Sequence, residues 1–135
     1  MSKLVERSRE ELISLLSLWS QCGSCIVMLN NKCIKSCSVL IAQCNNSIVT
    51  TVEGLGKKDK LHKVQEAFKN NHGLQCGFCT PGMVMSAIDL LQKNKKPSDT
   101  EIRDWLEGNI CRCTGYQNIV AAVKDRKSTR LNSSH

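Results

Sequence analysis

Two cysteine words constrain this chain more than anything else in it: Gln75-Cys76-Gly77-Phe78-Cys79-Thr80-Pro81-Gly82 and, further on, Cys111-Arg112-Cys113-Thr114-Gly115-Tyr116. A C-x2-C and a C-x-C pair offer four thiols for a shared metal group, so the intervening chain must fold back on itself. Each word runs into a helix-start signal. Thr80-Pro81 reads as an N-cap residue with proline at the first helical position. Thr114 to Asn118 leads into the apolar run Ile119, Val120, Ala121, Ala122, Val123. Both thiol pairs are therefore expected at helix starts, where free N–H groups and the macrodipole favour negative charge.

The chain has 135 residues, enough for one ordinary domain or two small ones. Small domains bury little surface and usually need metals or disulfides as staples. Nine cysteines could supply either. Glu6, Glu10 and Glu11 interrupt the N-terminus where a leader would carry its apolar core. No apolar run approaches the ~20 residues that span a bilayer. A cytoplasmic chain with no membrane span is the expectation, and there such cysteine spacings point to metal rather than cross-links.

The net charge of +7 does not indicate a nucleic-acid partner. Lys124, Arg126, Lys127 and Arg130 crowd one end, and the clusters at 57–60 and 93–96 fall where loops are expected. Five aromatic residues, none interleaved with the basic ones, leave nothing to stack bases.

Residues 1–19 read as one amphipathic helix, with a capping box at Ser8-Arg9-Glu10-Glu11 and an apolar face of Leu12, Ile13, Leu15, Leu16 and Trp19. After Ser20 the texture changes. Cys22-Gly23-Ser24-Cys25 precedes a strand at 26–29, a polar turn at Asn30-Asn31 and a second strand at 32–35, hence a hairpin. Residues 37–42 suggest a short helix, and the β-branched run 47–52 a further strand closed by Gly54. Residues 57–60 are a charged linker. Beyond it everything is helical: 61–68 up to the turn Asn70-Asn71-His72-Gly73, then 81–93. A helix opened by the capping box Ser98-Asp99-Thr100-Glu101 and stopped at Gly108 follows, and a last one runs from Gly115 to Lys124. Residues 126–135 have no periodicity and are set aside as a disordered tail or an artefact of the sequence.

Taken alone, Cys76, Cys79, Cys111 and Cys113 admit a structural zinc ion, although C-x-C is unusual for a zinc knuckle, or a [2Fe-2S] cluster. The surrounding words narrow this. Leu-Gln-Cys-Gly-Phe-Cys-Thr-Pro-Gly-Met at 74–83 and Gly-Asn-Ile-Cys-Arg-Cys-Thr-Gly-Tyr-Gln-Asn-Ile-Val at 108–120 closely resemble the iron–sulfur small subunit of molybdenum hydroxylases. That family includes xanthine dehydrogenase, aldehyde oxidoreductase, nicotine dehydrogenase and the aerobic carbon monoxide dehydrogenases. The resemblance covers about residues 20–124.

It implies an α+β chain: a truncated, plant-type ferredoxin-like β-grasp segment over 20–56 and a four-helix [2Fe-2S]-binding domain over 61–125. Cys76, Cys79, Cys111 and Cys113 would hold the helical-domain cluster, with Gln75 and Cys113 against the pterin of a molybdenum cofactor on a large subunit. Cys22, Cys25 and Cys37 match three ligands of the ferredoxin-type cluster; position 17, where the first should stand, is Ser17, a harder donor than a thiolate. The family also places two strands and a helix before the first cysteine, where this chain has residues 1–19. The word Ser20-Gln21-Cys22-Gly23 leans towards the carbon monoxide dehydrogenase branch. The implied role is one-electron transfer from molybdenum towards an FAD subunit or another acceptor, with no substrate site on this chain. A zinc-stapled interaction module and a free-standing ferredoxin are the rival readings. Cys33 and Cys44 are expected as structural cysteines, His62 and His72 as ordinary histidines, and Met83 and Met85 as core.

Overall fold

The computed structural model describes residues 20–57 and 60–125. The expected helix over 1–19, Ser17 and the tail over 126–135 lie outside them. The described chain is α+β. Strand β1 (Ile26–Leu29) pairs antiparallel with β2 (Lys32–Lys35) on one side and with the short β3 (Val49–Thr50) on the other. Four α-helices follow: α1 (Lys63–Asn70), α2 (Thr80–Lys93), α3 (Asp99–Trp105) and α4 (Gln117–Lys124).

The hairpin turn forms at Asn30-Asn31 because both residues adopt the left-handed backbone (φ +49° and +66°) that a two-residue turn of the strands' own twist requires. Asn30 also bounds β3. Its N–H donates to the Ile48 carbonyl and its Oδ1 accepts the Ile48 N–H, both at 2.9 Å. The expected strand over 47–52 therefore shrinks to two residues. A left-handed Asn46 precedes it, and a 3-10 turn (Val52–Leu55) begins directly beyond it. The helix expected over 37–42 is instead two 3-10 turns, Ser36–Ser38 and Ile41–Cys44. At the linker, Lys57 and Lys60 exchange two backbone hydrogen bonds of 3.0 Å.

Helix α1 ends as a Schellman motif with His72 in the left-handed position: Gly73 N–H bonds the Phe68 carbonyl at 2.8 Å and His72 N–H that of Lys69 at 3.3 Å. The Ser98 capping box is present, with Ser98 Oγ accepting Glu101 N–H at 3.2 Å and Glu101 Oε2 accepting Ser98 N–H at 2.8 Å. An ion pair between Lys124 and Asp99, and a hydrogen bond from Arg103 to Gln117, tie α3 to α4. Lys93 Nζ sits 4.2 Å above the Trp105 ring and joins α2 to α3.

One core serves both halves. Phe68, Met83, Met85, Ile102, Leu106 and Ile119 are fully buried among the helices, and Ile26 and Met28 of β1 join the same cluster. Each such side chain contributes ~1.5–3 kcal/mol through removal from water. Cys33 seals the seam as a structural thiol. Its Sγ donates to the Met85 carbonyl at 3.2 Å. Burial, with the negative charge of Asp89 adding to it, pushes its pKa up to about 12. The closest approach lies between Gly82 of α2 and Gly23: a Cβ at Gly82 would stand 1.9 Å from the Gly23 carbonyl oxygen.

His62 closes the start of α1. Its Nδ1 accepts the Val64 N–H at 3.3 Å, and its own N–H donates to Gln65 Oε1 at 2.8 Å. Burial, reinforced by the neighbouring Lys63 charge, lowers its pKa from the usual 6.5, and protonation also removes the lone pair that makes the cap. The unfolded chain thus takes up this proton before the folded one. The contribution is whole above about pH 6.5 and is lost as pH falls through the lowered folded value. Urea unfolding at about pH 7.5 and about pH 5.5 should show a larger loss for the native chain than for His62→Asn, which caps without titrating.

Candidate metal centre

Two loops meet to form the site. The first descends from the Schellman turn of α1 and enters α2 through Gly77, whose φ of +86° permits the tight turn in which Thr80 N–H bonds the Gly77 carbonyl at 3.2 Å. Because Met83 N–H already reaches the Cys79 carbonyl at 3.0 Å, Cys79 occupies the N-cap and Thr80 is the first helical residue, with Pro81 next. This corrects the expectation that Thr80 caps the helix. Its Oγ1 is buried, with no hydrogen-bond partner among the described residues. The consequence for Cys79 is favourable, since its thiol stands at the positive end of a 14-residue helix.

The second loop leaves α3 with Asn109 N–H bonded to the Leu106 carbonyl at 2.8 Å. Asn109 is 3% exposed and accepts a 3.0 Å hydrogen bond from Ser86 of α2 on its Oδ1. Ile110 N–H donates to the Cys22 carbonyl at 2.8 Å, which links this loop to the first cysteine loop of the chain. Gly115 and Tyr116 both take left-handed backbone (φ +62° and +66°), which carries the loop into α4 one turn beyond Cys113. Thr114 Oγ1 lies 3.1 Å from Cys111 Sγ and accepts Tyr116 N–H at 3.2 Å.

The four thiols of the two words come together as two pairs. Cys113 Sγ and Cys76 Sγ are 3.4 Å apart at the exposed rim. Cys79 and Cys111, both buried, interact with one another beneath them. Local donors set each thiol differently. The Phe78 N–H, with the Cys113 thiol, holds Cys76 below the ordinary thiol value, while donation to Cys76 raises Cys113. Burial pushes Cys79 up to about 12, with the Cys111 thiol adding to it. Burial also opposes ionisation of Cys111, but the Thr114 hydroxyl and the amides of Thr114 and Cys113 outweigh it, and its pKa falls. Among the described residues no three His, Cys, Asp or Glu side chains converge where a single metal ion could sit. Two thiol pairs, one rimmed by solvent and one buried at a helix start, bring four sulfurs to one site. Gln75 is exposed and braces the site: its Nε2 donates to the Cys113 carbonyl at 3.1 Å, joining the two words.

The other expected ligands form a second gathering. Cys22 is exposed, held below the ordinary thiol value by the amide and hydroxyl of Ser24, and senses the charge of Cys37. Cys37 is lowered by its contact with the Cys25 thiol and then by the Ser38 hydroxyl. The fold thus draws Cys22, Cys25 and Cys37 into one neighbourhood, with Lys35 donating to the Ser20 carbonyl beside them. Cys44 stands apart, 3.9 Å from the Leu40 carbonyl. Sequence reading passed over Thr114, Tyr116 and Asn109, all of which brace Cys111. All three stand inside the word at 108–120, but its composition carries no sign of the contacts that they make around Cys111.

Residues 51–124 match the family described as "[2Fe-2S] binding domain". The chain is 48% identical over 104 residues to the nicotine 6-hydroxylase small subunit of Paenarthrobacter nicotinovorans, covering 77% of this chain and 62% of that one. Among solved structures it resembles quinoline 2-oxidoreductase from Pseudomonas putida 86, with a TM-score of 0.79 and 41% identity over 82% of this chain and 68% of that one. The aldehyde oxidoreductase of Desulfovibrio gigas gives a TM-score of 0.75 and 42% identity over 79% of this chain and 12% of that one. The chain thus spans less than two thirds of the nicotine 6-hydroxylase small subunit. No helix among the described residues is long and apolar enough to cross a membrane.

Proposed function

The chain belongs to the iron–sulfur small-subunit family of the molybdenum hydroxylases, and from that premise we propose that it is an electron-transfer subunit. It takes electrons from the molybdenum cofactor of a large subunit and delivers them towards an FAD subunit or another acceptor, in the cytoplasm. Residues 61–125 are its helical cluster-binding domain, and residues 20–56 a shortened ferredoxin-like segment. The observation that carries this reading is the meeting of Cys76, Cys79, Cys111 and Cys113 at the start of α2.

Those four thiolates hold a [2Fe-2S] cluster, which supplies reversible one-electron carriage when bound. The chain's own part is to fix and tune that group. The amides of Phe78, Cys113 and Thr114 and the Thr114 hydroxyl already donate to ligand sulfurs, and they stabilise the negative charge that sulfur bears. Gln75 and the exposed Cys113 face outward from the cluster loops, where the pterin of a partner's molybdenum cofactor would lie. Phe78, 84% exposed, and Leu74 flank them beside an apolar groove lined by Leu61, Phe68 and Pro81; this face suits the large subunit. The hydrogen bond from the Ile110 N–H to the Cys22 carbonyl links the two cysteine neighbourhoods. Among the described residues Cys22, Cys25 and Cys37 are the thiols that gather at the ferredoxin-type site.

Iron, zinc and acid-labile sulfide per chain, measured after anaerobic reconstitution with the visible spectrum alongside, test this reading. About two irons with matching sulfide are expected. About four would mean that Ser17 or a spare cysteine completes the first site. Zinc without iron or sulfide would sink the electron-transfer role in favour of a structural module.

A further inference from the structure

Tyr116 makes contacts that the ligand set does not explain. Its hydroxyl accepts the Cys111 N–H at 2.9 Å and donates to the Asn109 carbonyl at 3.0 Å, so one phenol spans the turn from which Cys111 projects. Its own N–H reaches Thr114 Oγ1, the hydroxyl in contact with Cys111 Sγ. The residue adopts φ +66°, a backbone that glycine takes freely and a bulky side chain takes only under strain. Nor does its side chain cap α4. The strain is offset at the hydroxyl, and both of that hydroxyl's partners lie on the Cys111 turn.

An amide held by a phenol is an amide not offered to sulfur. The Thr114 hydroxyl stands 3.1 Å from Cys111 Sγ and, with the amides of Thr114 and Cys113, favours its ionised form, whereas the Cys111 amide is committed to the phenol. Hydrogen bonds to the sulfurs of an iron–sulfur group favour its more negative, reduced state and so raise its reduction potential. Resting on the function proposed above, we infer that Tyr116 is a positioning residue that withholds the Cys111 amide from the cluster's sulfurs and thereby keeps the reduction potential low.

The test uses the full-length chain, reconstituted anaerobically with iron and sulfide, and a redox titration followed by electron paramagnetic resonance. Tyr116→Phe deletes the hydroxyl alone. Because Tyr116 is the chain's single tyrosine, growth on 3-fluorotyrosine alters this one phenol, making it a poorer acceptor without removing it. The expected result is a potential shifted upward in Tyr116→Phe and, by less, in the fluorinated chain, at native iron content. An unchanged or lowered potential in Tyr116→Phe overturns the inference, as does a downward shift in the fluorinated chain. Should Tyr116→Phe lose its iron, the fluorinated chain decides alone. A native chain that binds no iron and sulfide removes the proposed function itself, and this inference with it.

Discussion

Gly82→Ala should be among the most damaging single substitutions in the chain. The new methyl would stand 1.9 Å from the Gly23 carbonyl oxygen, 2.9 Å from its carbon and 3.3 Å from Asn109 Nδ2. The first two are backbone atoms, with no rotamer through which to yield. Alanine gains about 1 kcal/mol over glycine inside a helix. Overpacking costs ~1–3 kcal/mol where neighbours can shift, and more where they cannot. The clash wins, and we expect a net loss of about 3 kcal/mol in urea unfolding. Because Gly23 lies between Cys22 and Cys25, the displacement should also loosen the Ile110 to Cys22 hydrogen bond. Faster backbone exchange at Ile110 would report this directly. Native stability in Gly82→Ala would mean that the two halves are not seated as tightly as the structure has them.

The second large effect concerns the buried thiol pair. Cys79→Ala and Cys111→Ala should each take the reconstituted chain from about two irons to essentially none, because a four-thiolate cluster that loses a buried ligand has no replacement donor in reach. Among the described residues the remaining cysteines belong to the other neighbourhood, to the hairpin seam or, for Cys44, to the turn after Leu40. Cys22→Ala, by contrast, should leave iron and sulfide unchanged if the ferredoxin-type site is empty. Equal iron loss in all three variants would show that the two neighbourhoods load as one. Since a bound group stabilises only the folded state, the two damaging variants should also lose the thermal protection that reconstitution gives the native chain.

How much of this could be read from the sequence depends on whether the cause was local. The hairpin turned at Asn30-Asn31 because asparagine tolerates left-handed backbone, and the Ser98 box closed because its partners stand three residues apart. Helical periodicity placed α2 but not its burial, which runs unbroken from Gly82 to Leu91 and takes in Ser86 and Asp89. Where tertiary contacts decided, local rules fell short. Residues 47–52 have strand propensity, yet Asn30 bounds the pairing and two residues remain. Thr80-Pro81 has the composition of a cap, yet the Gly77 turn starts the helix at the preceding cysteine. The meeting of the two cysteine words was legible from their ligand types; the division into an exposed and a buried pair was not. No sequence rule indicates that Gly23 packs on Gly82, or that the Tyr116 hydroxyl is committed to the Cys111 turn, because those contacts exist only after the loops have met.

The hydrogen bond from Ile110 to the Cys22 carbonyl also bears on the order in which the molecule can be made. Its two ends are separated in sequence by the β-sheet and three of the four helices. On the ribosome the loop carrying Cys22 and Cys25 emerges early and waits, its partner loop not yet synthesised, while the hairpin has no α2 on which to bury Ile26 and Met28. The centre of four thiols closes later still, once Cys113 and the helix after it have left the exit tunnel. A group held by all four thiols can therefore be taken up only after both loops have been made, and the early thiols are the part of the molecule that a cell must shield until then.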